Sequence, residues 1–164
     1  MKVKQAVASV ILMVFLVSCL TGCIIIPLRK NFDISPDTVS SIEVYDLRQA
    51  NNQRNWLENG TPAYTLPESD HADFLQALSE ITFRETIIII LAATDPSFQY
   101  DDWTLRINYT NGSYEFLSSD GYGEVFDSSG ERIDSHHWSC DQEAWDELIG
   151  KYVPESIYGS HPAD

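Results

Sequence analysis

The chain has 164 residues, with 10 Lys and Arg against 25 Asp and Glu, for a formal net charge of −15. Clustered basic residues are what neutralise a phosphate backbone, so this balance excludes unaided nucleic-acid binding and favours cationic or basic partners. Only three cysteines occur in a chain of single-domain length, which predicts stability from a packed core rather than from a disulfide scaffold.

Lys2 and Lys4 precede 24 uncharged residues, Gln5 to Leu28, the layout of a secretory signal. Late in that run stands Leu20-Thr21-Gly22-Cys23: an aliphatic residue, two small ones and a cysteine. This stretch resembles the lipobox of bacterial lipoproteins. The resemblance implies that residues 1–22 are a signal peptide, removed by cleavage before Cys23. It also implies that the Cys23 thiol carries a diacylglycerol, holding the protein at the cell membrane on its extracytoplasmic face. It covers the first 23 residues and implies nothing about the body. Leu16-Val17-Ser18-Cys19 fits the pattern less well, and Cys19 would leave with the signal. A retained transmembrane helix is the rival, because 24 uncharged residues can span roughly 30 Å of hydrocarbon. Pro27 and the small-residue box interrupt it. Plain secretion is the third possibility. Two acyl chains suffice for stable anchoring, and Arg29 and Lys30 would then lie near anionic headgroups. After cleavage Cys140 is the one thiol besides the lipidated Cys23, so no intramolecular disulfide is expected.

Residues 23–38 read as the lipidated N-terminus and a short linker, 39–153 as an acidic domain, and 154–164 as a loose tail. Val39 to Arg48 is β-branched and aromatic, hence a strand. Gln49 to Gly60 is polar and loop-like. Pro62 to Leu66 is a second strand, placed at an edge by its proline. Ser69 to Glu80 is an amphipathic helix with Phe74, Leu75 and Leu78 on one side, capped by Ser69 or Asp70. Ile87 to Ala93 is a continuous apolar run, predicted as a strand buried on both faces.

Trp103 to Tyr109 alternates cleanly, and Asn111-Gly112 predicts a hairpin. Tyr114 to Leu117, Glu124 to Phe126 and Glu131 to Ile133 continue an antiparallel meander. Ser139 to Tyr152 is a second helix. Its capping box is Ser139 with Gln142, and Trp145, Leu148, Ile149 and Tyr152 form an inward stripe. The order β-β-α-β-β-β-β-α predicts an α+β fold, an antiparallel sheet with two helices packed on one face. That layout is similar to small bacterial lipoprotein domains, and carries over no active residues.

Candidate chemistry is sparse. Asp134 to Asp141 gathers Asp134, His136, His137, Cys140 and Asp141, all of them possible zinc ligands. No second Cys/His pair completes a site, so a loop leading to a capped helix is the simpler reading. The glycine-rich acidic stretch Ser119 to Glu131 fails the EF-hand pattern, and turns explain its glycines better. No nucleophile elbow, Walker loop or dinucleotide fingerprint occurs, and no cofactor is expected. Trp56, Tyr100 and Tyr122 are aromatic residues in polar surroundings that could stack on sugars or hold cations. The expectation is a membrane-anchored envelope binding module whose partner is an envelope protein, a glycan or a cationic ligand. The alternatives are a small metal-binding protein or enzyme at Asp134 to Asp141, or a glycan-binding surface protein.

Overall fold

A computed structural model describes residues 29–48, 50, 52–85 and 102–159. Eight strands lie among them: β1 (Arg29–Lys30), β2 (Val39–Asp46), β3 (Tyr64–Thr65), β4 (Phe83–Glu85), β5 (Trp103–Tyr109), β6 (Tyr114–Leu117), β7 (Asp120–Phe126) and β8 (Arg132–Ser139). They form one sheet in the order β1-β4-β8-β7-β6-β5-β2-β3, with every pairing antiparallel. The helices are α1 (Gln53–Asn59), α2 (His71–Glu80), α3 (Gln142–Tyr152) and α4 (Glu155–Tyr158). This is the predicted α+β class. The strand Ile87 to Ala93 and the aromatic candidate Tyr100 lie outside the described residues, as do Cys19 and Cys23.

Alternation in β2 and β5 sets the main core. Ile42 pairs with Ile107 and Val44 with Leu105, and all four side chains are fully buried. α2 and α3 close over that face with Phe74, Leu75, Leu78, Trp145, Leu148 and Ile149 in the same apolar cluster. The Trp145 indole N–H donates to the Trp103 carbonyl at 3.0 Å. A buried indole needs such a partner, so this bond fixes α3 against β5.

The opposite face carries a second, smaller cluster of Tyr45, Leu47, Leu57, Phe116 and Phe126. Leu57 comes from α1, in a segment expected to be a loop. Seven residues with a single buried apolar position give too short a window for helical periodicity to show. The signal that was present is Asn52, whose side chain accepts from the Asn55 amide at 3.0 Å, satisfying one of the free N–H groups of the first turn.

Other expectations change at element ends. Residues 29–38 are not a free linker: β1 pairs with β4, Phe32 is buried against Phe83 edge-to-face at 4.8 Å, and the Asn31 side chain donates to the Ser79 carbonyl. Phe32, with Ile34 packed against the same core, docks the segment. The tail after Val153 is also partly ordered, because Tyr158 of α4 stacks on Trp103 at 5.5 Å.

The cap of α3 is Asp141, which accepts from the Glu143 and Ala144 amides. Ser139 instead ends β8, and Gln142 accepts from the Ser119 hydroxyl. Neither Ser69 nor Asp70 makes a side-chain cap on α2, because a 3-10 turn at Glu68–Asp70 leads into the helix. Gly112 takes φ +86° in the predicted hairpin.

Candidate functional site

β7 and β8 are longer than the sequence suggested, and most of Asp134 to Asp141 lies in β8. Arg132–Ser139 is a strand, paired residue by residue with β7: Asp134 with Val125, His136 with Gly123 and Trp138 with Gly121. The expected loop is therefore a strand, which alternates its residues between two faces. His136 packs over Gly123, where a Cβ would sit 2.0 Å from its Cε1, and lies 5.9 Å from the Phe32 ring. Asp134 is exposed. His137 and Tyr122 are register partners, and their side chains fall outside the described atoms. Among the described residues, no three His, Cys, Asp or Glu side chains converge to hold a metal.

The segment's last residues do reach a concavity. A groove of about 600 Å³ is lined by residues of α2, of α3 and of the β4–β8 pairing, a volume suited to a small ligand or a peptide side chain. Ala77, Ile81, Cys140, Ala144 and Leu148 give it apolar surface, and Glu80, Asp141, Glu147, Arg84 and Lys151 give it both charge signs. Ala144, Glu147, Leu148 and Lys151 share a wall because they fall at helical spacing on α3. One Asp141 oxygen is committed to capping α3. Cys140 is half-buried, and its amide donates to the Ser119 carbonyl. Cys140 lines the groove together with charged residues of both signs.

Among the described residues two carboxylates are buried in the sheet. Glu115 of β6 is 8 % exposed and accepts from the Tyr109 hydroxyl. Burial raises its pKa, and the Tyr109 hydrogen bond and the Lys30 charge work against that rise. Burial, then the Glu115 charge and their hydrogen bond, raise the Tyr109 pKa strongly. Glu124 of β7 is 1 % exposed and meets the Arg132 guanidinium at 2.8 Å. Periodicity cannot reveal either acid, since each occupies an inward strand position that an apolar residue would fill equally well. Neither lines the groove.

Of the aromatic candidates, Trp56 projects from α1 and is 45 % exposed. Trp103 and Trp145 are core residues, as expected. Trp138 and Cys140 pack partly against the main core. The glycines of the Ser119 to Glu131 stretch serve strand and turn. Gly130 has φ +81°, and Asp127 closes the hairpin by accepting from the Ser129 and Glu131 amides.

Among the described residues no helix is long and apolar enough to cross a membrane. Comparison with protein-family models, with curated proteins and with solved structures found no match.

Proposed function

We propose that this protein is a lipid-anchored binding module of the bacterial cell envelope. In this reading Cys23 carries the diacylglycerol, and the acidic α+β domain stands on the extracytoplasmic side. The observation that carries it is the junction between anchor and fold. The uncharged run ends at Leu28, and Arg29 is already paired in the sheet. Cys23 and Arg29 are six positions apart, so even a fully extended chain separates them by no more than roughly 20 Å. A tether that short holds the domain at the membrane surface. The groove between α2 and α3 is the docking place for a partner carrying both charge signs, such as an exposed peptide of an envelope protein.

Two experiments test the parts separately. Full-length protein produced in bacteria fed labelled palmitate incorporates the label; Cys23→Ala abolishes incorporation and Cys19→Ala does not. Label persisting in Cys23→Ala rejects the anchor. A photo-crosslinking residue at Thr82, on the groove wall, captures an envelope component that the same residue at Ser129, on the β7–β8 hairpin, does not. Glu147→Arg weakens that capture. Equal yields from the two positions reject the groove as the binding place.

The exposure of Trp56 favours a second reading, a glycan-binding surface, because an exposed indole presents a flat apolar face to sugar rings. Binding on a carbohydrate array that is lost in Trp56→Ala would establish it, and an array without binders would dismiss it.

A further inference from the structure

Arg29 and Arg84 stand directly opposite each other across β1 and β4, and Lys30 stands opposite Phe83. All three basic residues are exposed. Like charges placed directly across a ladder repel. Among the described residues none of the three enters an ion pair, whereas Arg48 and Arg132 are held by Asp46 and Glu124. Lys30 instead lies over the Phe32 ring at 4.3 Å, with its charge also acting on the buried Glu115. β1 is the outermost strand of the described sheet. Its two residues, with the three of β4, hold three basic side chains and one acid, Glu85, in a chain of net charge −15. This basic edge begins at the residue immediately after the uncharged run.

We propose that the β1–β4 edge, through Arg29, Lys30 and Arg84, docks on the anionic phospholipid headgroups of the membrane that holds the N-terminus. Headgroup phosphates between Arg29 and Arg84 relieve the cross-strand repulsion, and each basic residue near an anionic surface strengthens attachment about five-fold. The rest of the body is acidic and is repelled by the same surface, so this edge alone faces the lipid. Docking turns a short tether into a fixed orientation: the groove, which shares Arg84, lies next to the membrane, and the β7–β8 hairpin sits at the end of β8 opposite the Arg84–Ser139 pair. The inference rests on the N-terminal anchoring proposed above. It holds for a diacylglycerol on Cys23 and equally for a retained apolar helix.

The test uses the full chain in lipid nanodiscs, either of phosphatidylcholine alone or with phosphatidylglycerol added. A donor dye is attached by azide–alkyne coupling to an azide-bearing residue placed at Thr82, so that Cys19, Cys23 and Cys140 stay unlabelled, and an acceptor dye sits on the lipid headgroups. Energy transfer is higher in the anionic discs and falls to the zwitterionic level in high salt. Arg84→Gln lowers the docked-to-free ratio about five-fold, while Ser129→Glu, which changes net charge by the same amount on the distant hairpin, leaves it unchanged. Equal transfer in the two discs, or equal effects of the two substitutions, overturns the proposal. Should Arg84→Gln fail to fold by circular dichroism, the lipid and salt dependence of the unsubstituted edge decides. Intact mass of the same sample reports Cys23 independently. An unmodified thiol with lipid-dependent transfer removes the lipid anchor and leaves the edge standing; a lipidated chain without it does the reverse.

Discussion

The two faces of the sheet are built by different rules. The face under α2 and α3 is a broad apolar layer, in which Ile42, Val44, Leu105, Ile107, Phe74, Leu78 and Trp145 interlock. The other face has a compact patch, in which Phe116 and Phe126 meet edge-to-face while Tyr114 stacks on Phe126 at 4.7 Å. There the Arg106 guanidinium lies 4.2 Å from the centre of the Tyr114 ring. Burial of many apolar groups stabilises the first face in proportion to area. Ring geometry and a cation stabilise the second, where among the described residues one short helix supplies the cover. The contrast teaches that the first face holds the fold together and the second shapes a surface.

Four measurements would break or sharpen this contrast. Trp145→Ala has the largest expected effect, a loss of about 3–5 kcal/mol, because it opens a cavity and removes the bond to the Trp103 carbonyl. Urea unfolding reads it. Leu57→Ala should cost about 2 kcal/mol, the low end for a buried leucine, since a seven-residue helix can settle onto the patch. A loss equal to that of Trp145→Ala would mean that the two faces form one energetic unit.

Gly123→Ala forces the His136 ring off its strand and against Phe32. A cost of about 1–2 kcal/mol is expected by the rule for overpacking, with a changed environment for the His136 ring protons in NMR spectra. The smallest effect is read in its sign. Burial raises the Glu115 pKa above the ordinary 4.5, so the folded chain holds that proton more tightly than the unfolded chain. The stability this group contributes is full below the unfolded value and is lost as pH rises through the folded one. Glu115→Gln keeps an acceptor for Tyr109 and removes the loss. Its advantage over the parent should therefore grow above about pH 4.5 in thermal melts. A variant that gains nothing at neutral pH would show that the Tyr109 bond and Lys30 outweigh burial.

The candidate site shows where sequence patterns stop. Cys140 and Asp141 could be singled out from their neighbours, but not the groove they help to line. Its walls come from residues as distant in sequence as Ala77 and Lys151. Asp134 and His136 were grouped with them by adjacency, and the strand separated them, because residues close in sequence are spread along an extended chain. The basic edge was half visible: Arg29 and Lys30 adjoin the apolar run, whereas Arg84 joins them only through the β1–β4 pairing.

Sequence alone determined the α+β class, the inward stripes of α2, β5 and α3, and the Asn111-Gly112 hairpin, because side-chain periodicity and turn chemistry are local properties of the chain. Tertiary structure alone decided that residues 29–38 dock onto the sheet, that α1 forms over the second face, and that two acids are buried. Those outcomes depend on which surfaces meet after folding, and a single Phe32 or Leu57 carries no pattern until its partner across the sheet is in place.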